Sequence, residues 1–363
     1  MPERVPPRSV TAMHDFSTEV LTAFGAGPAT ARAASRHMLW ADRRGTETHG
    51  LVRLPAYIEK IRGGALDPHA RPLVEPGNGA TFTVDGGDGL GHPAADLAMA
   101  SALGACKKNG VAAATVRNSG HFGAAGSYAE MAASAGAVGI AMTNAAPLMA
   151  PTGGKERRLG NNPVAIAVPF REFPIVLDIA MSAIAAGSIM LAARRGEAIP
   201  EQWGLDSEGQ PTADPEAVLT NGGLLRPLGD HKGYGLALMV DLLTAVLSDG
   251  TPGVDVRRLD QDGPVGASHT FVALDIEAFT DREGFDARVD ALVAAVRSTQ
   301  LARGADRILL PGEREAETAR ERDENGIGYP ADIFAALEPL AEAARVPLPP
   351  PLEPAAPTAE AGR

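Results

Sequence analysis

The sequence is poor in cysteine and in aromatic residues, and each shortage excludes a class of protein. Cys106 is the one cysteine among 363 residues, which excludes an intrachain disulfide and a cysteine-based zinc site. Its alanine- and leucine-rich surroundings predict a buried structural side chain rather than a nucleophile. Aromatic residues make up only 4% of the chain, so alanine, valine and leucine must fill the core.

Membrane, targeting and metal-binding patterns are also missing. No stretch approaches the roughly 20 apolar residues that a membrane-spanning helix needs. The N-terminus lacks the apolar segment of a signal peptide, so we expect a cytoplasmic protein without a membrane partner. Neither HExxH nor DxDxDG spacing occurs, and no GxSxG motif is found, so we expect no metal site and no serine hydrolase.

Basic residues are too few for a nucleic-acid-binding protein. The 33 Lys and Arg face 45 Asp and Glu, which gives a formal net charge of −12. Since phosphate binding needs clustered Lys and Arg, we expect no nucleic-acid partner. The hydrophobic share of 45% is typical of globular proteins, and the length fits about two domains. Any anionic substrate must therefore be held by local cations.

The order of predicted elements divides the chain into five segments. A Pro- and Arg-rich flexible arm is expected over 1–12, followed by a helical part over 13–75. Strands and helices then mix over 76–300 and predict an α/β region. Residues 301–346 are helical again, and the Pro/Ala-rich segment 347–363 predicts a disordered tail. We expect both helical parts to pack into one domain.

The stretch RGTETHGLVRLPAY combines a hydroxyl, an imidazole and a guanidinium. His49 and Arg53 are four residues apart, which would place them on one face of a helix, beside Thr48. Arginine binds a carboxylate through a planar bidentate fork. The same spacing also fits a capped helix start with solvated side chains, so the pattern alone leaves both interpretations open.

A second candidate, His121, follows a predicted strand within the small-residue turn SGHFGAAG. A histidine at the carboxyl end of a strand is well placed for a cleft, and flanking glycines let a ligand approach the backbone. The ordinary pKa of histidine, about 6.5, suits proton transfer near neutral pH. A histidine that is merely hydrogen-bonded in a loop fits equally well.

Two glycine-rich loops could receive phosphate. In GDHKGYG, Lys232 lies at the start of a long apolar helix, where backbone N–H groups favour anions, although a simple helix cap is the alternative. The loop DGGDGLGHP resembles a dinucleotide fingerprint, but His92 stands where the third glycine is required. We interpret that loop as a structural turn between a strand and a helix.

Taken together, these blocks resemble the malate/L-lactate dehydrogenase family that is unrelated to the Rossmann-type enzymes. Its members include ureidoglycolate, sulfolactate and 2,3-diketogulonate oxidoreductases and reductases of cyclic imino acids. The resemblance covers the chain from about Ser17 to Val346. It is carried by ADRRGTETHGLVRLPAYIEKIRGG, GHFGAAGSYAEMAASAGAVGIAMTNAAPLMAPTGG, VLDIAMSAIAAGSIMLAARRG, LGDHKGYGLALMVDLL, LLPGERE and NGIGYP.

The resemblance implies roles for individual residues. His121 corresponds to the general acid/base of the family. The stretch that binds substrate corresponds to Thr48, His49 and Arg53, with Asn144 at a neighbouring strand end. The positions that correspond to cofactor-binding residues are Ala145, Asp178, Ile179, Ala180, Lys232, Pro311, Gly312 and Glu313.

Three positions depart from the family pattern. Thr48 replaces the usual serine, which keeps the hydroxyl but adds a methyl group to the pocket. Asn161 stands where the family usually has threonine, and Ser188 stands where it usually has lysine. Losing that lysine removes a charge on the cofactor side, so the choice between NAD and NADP stays open.

The implied fold pairs a helical domain, formed by both chain ends, with an α/β NAD(P)-binding domain whose sheet is largely antiparallel. This is not a Rossmann fold, which explains why the fingerprint fails. A homodimer or higher homo-oligomer is implied, with the active site near the subunit contact.

The implied reaction interconverts a small 2-oxo acid and its 2-hydroxy acid with NAD or NADP, and protonated His121 supplies the proton during reduction. Reduction of a C=N bond in a cyclic imino acid is the nearest alternative. A non-catalytic binding protein is a further one, disfavoured because His121 and Arg53 are both present.

Overall fold

The computed structural model describes residues 3–352, and its secondary structure follows the sequence-based prediction for most elements. The strands are β1 (Leu73–Pro76), β2 (Thr81–Gly89), β3 (Val111–Ser119), β4 (Ala137–Thr143), β5 (Val164–Val168), β6 (Ile175–Ile179), β7 (Gly204–Leu205), β8 (Pro211–Thr212), β9 (Leu224–Leu225) and β10 (Ala267–Asp275). The helices are α1 (Val10–Ala23), α2 (Pro28–Arg43), α3 (Leu54–Arg62), α4 (Gly91–Asn109), α5 (Ala125–Ser134), α6 (Ala186–Arg195), α7 (Pro215–Leu219), α8 (His231–Asp241), α9 (Arg282–Arg297), α10 (Glu313–Asn325), α11 (Ala331–Ala335) and α12 (Glu338–Ala344).

A seven-stranded sheet forms the centre of the α/β region, with the strand order β1-β2-β3-β10-β4-β5-β6. Strands β2 and β3 run parallel, whereas the other neighbouring pairs are antiparallel. A doubly wound fold would have a mostly parallel sheet. The predicted mixed α/β class with a largely antiparallel sheet is therefore confirmed. The short strands β7, β8 and β9 form a separate small sheet.

Helices α4 and α5 pack on this sheet through small side chains. Ala94, Ala98 and Ala102 of α4 are fully buried in the same apolar cluster as Cys106, which confirms the predicted structural cysteine. On β4, a Cβ at Gly139 would lie 2.5 Å from the carbonyl oxygen of Ala129 in α5. Small residues thus let helix and sheet approach closely, as the alanine-rich composition predicted.

The two ends of the chain share one apolar cluster. Phe16 of α1 and Tyr57 of α3 are buried together with Ile327 and Leu340 from the C-terminal part. A helical domain built from both ends requires this packing. The exact domain boundaries, at 75, 300 and 346, stay predictions.

The predicted flexible arm over 1–12 is wrong for its described part. Arg4 and Arg8 form antiparallel bridges with Pro330 and Ile327, and α1 already begins at Val10. These backbone hydrogen bonds tie the N-terminus to the C-terminal part.

The predicted tail is also ordered at its beginning. Arg8 donates to the carbonyl of Pro349 at 2.7 Å, and the N–H of Leu352 donates to the carbonyl of Pro7, also at 2.7 Å. The remainder of the predicted tail, 353–363, lies outside the described residues.

The strand ends that lead into the proposed site lie together at one edge of the large sheet. The register pairs Ser119 with Ala267, and Thr143 with His269. It also pairs Val164 with Ile179. The carboxyl ends of β3, β4 and β6 therefore meet the starts of β5 and β10, and the residues that follow these ends are brought together.

Candidate active site

His121 lies in the turn between β3 and α5, and tight packing fixes this turn. Gly120 donates its N–H to the carbonyl of Gly89 at 3.0 Å. A Cβ at Gly91, the first residue of α4, would lie 2.3 Å from the carbonyl oxygen of Gly120. Glycine at position 91 is thus required by close backbone approach. The loop interpreted as a structural strand-to-helix turn is confirmed, and it supports His121.

The imidazole of His121 is half-buried and contacts three groups. Its Nδ1 lies 2.7 Å from the hydroxyl of Tyr57 and 3.3 Å from the backbone nitrogen of Gly123. The ring of His49 stacks on it with 5.7 Å between ring centroids. Burial, followed by the charge of Arg53, holds the pKa of His121 well below its ordinary value. This shift favours a neutral imidazole in the unliganded protein, and the protonated donor during reduction stays a prediction.

Thr48, His49 and Arg53 come together as predicted, but not on one α-helix. Two short 3₁₀ turns, Glu47–His49 and Leu51–Arg53, precede α3. The hydroxyl of Thr48 lies 2.9 Å from Nδ1 of His49, and Nε of Arg53 donates to the carbonyl of Thr48 at 2.6 Å. The terminal Nη groups of Arg53 have no partner among residues 3–352, so they are available for a carboxylate.

His49 is neutral as well. Burial and the nearby charge of Arg53 lower the pKa of His49 to about 4. With His121 also neutral, Arg53 is the one fixed positive charge of this group of residues. The arrangement thus matches a ligand that carries one carboxylate beside an uncharged polar group.

A buried carboxylate, Asp42, anchors this loop from below. It accepts the N–H of Leu51 at 3.0 Å and the hydroxyl of Tyr329 at 3.1 Å. A Cβ at Gly50 would lie 1.6 Å from its Oδ1. Burial raises the pKa of Asp42 to about 7. Sequence reasoning missed Asp42, since nothing in the motif shows that it lies beneath Gly50.

His269 of β10 joins the strand ends next to His121 and Asn144. Its Nδ1 lies 2.7 Å from the hydroxyl of Thr143, and its Nε2 lies 2.9 Å from that of Ser119. Its ring stacks on Phe122 at 4.3 Å. Burial lowers the pKa of His269 to about 3, so it acts as a neutral cross-link between β3 and β4.

The predicted substrate contact of the Asn144 side chain is not supported. The side chain is 2% exposed, and its Nδ2 donates to Asp241 at 3.2 Å and to the carbonyl of Thr251 at 3.0 Å. Its Oδ1 accepts the N–H of Ser268 at 2.8 Å. Both amide hydrogens are used inside the protein, so Asn144 fixes the end of β4.

The next residue, Ala145, is held by a side chain that sequence reasoning missed. Its N–H donates to Oδ1 of Asn162 at 2.9 Å, and Nδ2 of Asn162 donates to the carbonyl of Ala237 in α8 at 2.8 Å. Asn162 is fully buried with a φ of 23°. The prediction singled out the neighbouring Asn161 instead, because only that residue departs from the family pattern.

Asp178 lies at the end of β6, where it contacts the start of α5. Its Oδ2 accepts the N–H of Gly126 at 2.8 Å. A carboxylate at a helix N-terminus is favourable because the backbone N–H groups there lack partners. The side chain is accessible to solvent, yet desolvation by the surrounding protein raises the pKa of Asp178 to about 6.

A backbone contact joins the predicted cofactor residues Asp178, Ile179 and Ala180 to the loop that carries Lys232. The carbonyl of Met181, the next residue, accepts the N–H of Leu228 at 2.9 Å. The side chain of Lys232 is exposed at the start of α8 and has no ion pair within 3–352. This cation fits the pyrophosphate of a dinucleotide. Ile179, partly exposed at the end of β6, offers an apolar surface that fits its rings.

The turn of Pro311, Gly312 and Glu313 lies alongside β6. The carbonyl of Pro311 accepts the N–H of Val176 at 3.1 Å, and Gly312 has a φ of 78°. The carboxylate of Glu313 accepts the N–H of Leu310 at 2.8 Å and contacts Arg297 at 3.1 Å. The Glu313 side chain therefore stabilises the turn itself, and the cofactor role of the turn stays a prediction.

The first turn of helix α6 contacts Thr48, one of the predicted substrate-binding residues. A Cβ at Gly187 would lie 3.1 Å from the methyl group of Thr48. The methyl group that distinguishes Thr48 from serine thus points at the first turn of α6. Ser188, where the family usually has lysine, follows directly in this turn.

A cavity of about 570 Å³ lies next to the end of β4, between Ala146 and the segment 254–261. Arg157, Arg257 and Arg258 line it together with Asp255. None of the predicted site residues lines this cavity, so it does not define the site.

Residues 3–352 contain neither a cluster of metal-ligating side chains nor a membrane-spanning helix. No three His, Cys, Asp or Glu side chains are grouped so that they could hold a metal ion. No helix in this range is long and apolar enough to cross a bilayer.

Comparison with known proteins identifies the family. The family model for malate/L-lactate dehydrogenase matches residues 9–338. The chain belongs to this family. It is 37% identical over 336 residues to the malate dehydrogenase of Pyrococcus abyssi, which covers 91% of this chain and 92% of that protein.

Other family members support the same assignment. The Delta(1)-pyrroline-2-carboxylate/Delta(1)-piperideine-2-carboxylate reductase of Pseudomonas putida is 32% identical over 335 residues, which is 91% of this chain and 95% of that protein. The crystal structure of malate dehydrogenase from Entamoeba histolytica matches with a TM-score of 0.90 and 32% identity, covering 96% of this chain and 100% of that chain. The predicted family is confirmed, and an oxidoreductase is supported.

Proposed function

We propose that this protein is an NAD(P)-dependent oxidoreductase that interconverts a small 2-oxo acid and its 2-hydroxy acid, with His121 as the acid/base. One observation carries the proposal. The ring of His121 stacks on that of His49 near Arg53, whose terminal Nη groups are unpaired within the described range. This combination places a guanidinium that can bind a carboxylate next to an imidazole that can transfer a proton.

Each residue of the group has a defined task. Arg53 binds the carboxylate, and the hydroxyl of Thr48 and the ring of His49 orient the adjacent oxygen. Once the ligand carboxylate pairs with Arg53, His121 takes up a proton from solvent and passes its Nε2 proton to the carbonyl oxygen as C2 receives the hydride. The ring returns to its neutral form, and one solvent proton is consumed per turnover. Positioning and acid catalysis both lower the barrier in such an arrangement.

The cofactor side fits a nicotinamide dinucleotide, which when bound would exchange a hydride with C2 of the ligand. Lys232 would meet its phosphates, and Asp178, Ile179, Ala180, Ala145 and the turn Pro311–Gly312–Glu313 would surround the rest. Whether NAD or NADP is preferred stays open, since Ser188 provides no cation in α6.

Arg53→Lys tests the carboxylate fork. An ammonium cannot reproduce two parallel N–H···O bonds, so we expect KM for the 2-oxo acid to rise about tenfold or more, equivalent to roughly 1.4 kcal/mol. Steady-state kinetics with saturating reduced cofactor measure this. Arg62→Lys, an exposed residue at the other end of α3, is the matched control and should change nothing. An unchanged KM and kcat in Arg53→Lys would show that Arg53 is merely solvated.

Reduction of a C=N bond is the second candidate function, favoured by the similarity to the Pseudomonas putida reductase. A cyclic imino acid also presents a carboxylate beside the reducible bond, so Arg53 and His121 would serve it equally. Following NADH and NADPH consumption with pyruvate, oxaloacetate and a cyclic imine separates the two. Reduction of the imine alone would replace the hydroxy-acid proposal.

We further propose that two copies of the chain associate through α8 and the π-helical turn that continues it, Leu242–Val246. Leu236, Met239, Leu243 and Val246 follow each other at helical spacing, and each is at least two-fifths exposed. A contiguous apolar face of this kind is typical of a subunit contact. It continues from Lys232, so the contact lies near the proposed cofactor site. A cytoplasmic location stays a prediction.

Leu243→Glu combined with Val246→Glu tests this contact. Two buried carboxylates without partners cost several kcal/mol, so we expect the dimer to dissociate into monomers. Light scattering after size-exclusion chromatography measures the mass. Leu292→Glu, at a position on α9 that is 66% exposed, serves as the control. A double variant that keeps the mass of the unmodified protein would place the contact elsewhere.

A further inference from the structure

The Nδ1 atom of His121 is surrounded by hydrogen-bond donors. The backbone N–H of Gly123 points at it from 3.3 Å, and a backbone N–H can only donate. Nδ1 must therefore act as the acceptor. The hydroxyl of Tyr57, 2.7 Å away, then donates to the same lone pair. A proton on Nδ1 would face the hydrogen of Gly123 directly.

We propose that Tyr57 is a positioning residue that, together with the N–H of Gly123, fixes His121 as the neutral tautomer with its proton on Nε2. Nε2 has no hydrogen-bond partner among residues 3–352, so its N–H is free to meet a ligand. Tyr57 does not need to touch the ligand for this role. The inference rests on the proposed function only in naming that ligand as a carbonyl compound.

Tyr57 is itself held as a donor. It is fully buried in α3, and its ring meets the edge of His92 at 5.5 Å and 86°. Burial raises the pKa of the phenol, so the hydroxyl keeps its proton. Both ring nitrogens of His92 are buried without a hydrogen-bond partner in the described range, so neither of them competes for the hydroxyl.

The neutral tautomer avoids charge repulsion between His121 and Arg53. Arg53 and Tyr57 are four residues apart, so a cationic His121 would lie close to a fixed guanidinium. The charge of Arg53 already lowers the pKa of His121. A neutral ring that presents N–H at Nε2 can bind a carbonyl oxygen without this repulsion. Sequence spacing gives no sign of this role, because the partner of Tyr57 is 64 residues away.

The tautomer can be measured without any substrate. Long-range ¹H–¹⁵N spectra of histidine-labelled protein, with His121→Gln used for assignment, distinguish protonated from unprotonated ring nitrogens. We expect an unprotonated Nδ1 and a protonated Nε2 in the unmodified protein, and a mixture of tautomers in Tyr57→Phe. A protonated Nδ1 in the unmodified protein, or an unchanged spectrum in Tyr57→Phe, overturns the proposal.

Tyr128→Phe is the matched control for these spectra. Tyr128 is also fully buried and donates its hydroxyl to the carbonyl of Phe122, so its variant loses a comparable buried bond. The His121 signals should stay as in the unmodified protein. If Tyr128→Phe shifts the tautomer as much as Tyr57→Phe does, the effect is a general loosening and the proposal fails.

Kinetics give an independent test. Tyr57→Phe should lower kcat for reduction about tenfold to hundredfold, by analogy with the loss when a metal-bound imidazole loses its orienting partner, with KM nearly unchanged. In a His121→Ala background the same change should cost nothing further, since Tyr57 acts through His121. An equal loss in both backgrounds overturns the proposal. If no 2-oxo acid or imine is reduced at all, the proposed function fails while the spectra still decide the tautomer.

Discussion

Replacing His121 with alanine should lower kcat by about 10²–10⁴-fold, the usual contribution of a general acid. Its Nε2 is the proton donor proposed for the carbonyl oxygen, and neither His49 nor Tyr57 is placed to substitute for it. The residues assigned to the cofactor lie after β4, at the end of β6 and at the starts of α8 and α10, and His121 is not among them. Binding of NADH or NADPH, measured by fluorescence titration, should therefore stay nearly unchanged.

A control separates chemistry from folding in this experiment. His69→Ala removes an exposed histidine outside the site and should leave kcat, cofactor binding and the urea midpoint unchanged. His121→Ala should keep a cooperative unfolding transition, because the imidazole is only half-buried. Turnover close to that of the unmodified protein would remove His121 from the proposed mechanism.

Local patterns explain how much of the fold could be predicted from the sequence. Helix α2 begins at a proline and α3 ends before Gly63, and both residues are helix-boundary signals that can be read from the sequence. The alternating residues at the start of β2 are likewise a local signal that is typical of a strand. The sheet order could not be derived from these patterns, because β10 inserts between β3 and β4 from more than 100 residues away. Such pairing depends on packing between distant segments.

The site residues also fall into two groups: those that share one sequence motif, and those whose partners are distant in the sequence. Thr48, His49 and Arg53 share one motif, and the structure brings them to His121 as the resemblance implied. His269 has no local signal in the sequence, because its partners, Ser119 and Thr143, are more than 120 residues away. We predicted that Asn144 binds the substrate. Its side chain instead forms hydrogen bonds with Asp241, Thr251 and Ser268.

Gly50→Ala should have the largest effect on stability among the changes considered for this site. The added methyl group would overlap Oδ1 of Asp42, which is 1.6 Å from the ideal Cβ position. Asp42 must then rotate away from Leu51 and Tyr329, leaving a buried carboxyl without its two donors. Overpacking and lost hydrogen bonds together should lower the free energy of unfolding by about 3 kcal/mol or more. Urea denaturation measures this loss.

The same substitution should also reduce activity in any protein that remains folded. Gly50 separates the two 3₁₀ turns that carry His49 and Arg53, so a displaced loop would misalign both side chains. We expect kcat/KM to fall by more than about 10²-fold, because an error of about 1 Å in positioning has this effect. Gly104→Ala in α4 is the matched control, since no atom lies within 4 Å of its Cβ position. Normal stability and activity of Gly50→Ala would show that Asp42 does not lie beneath this loop.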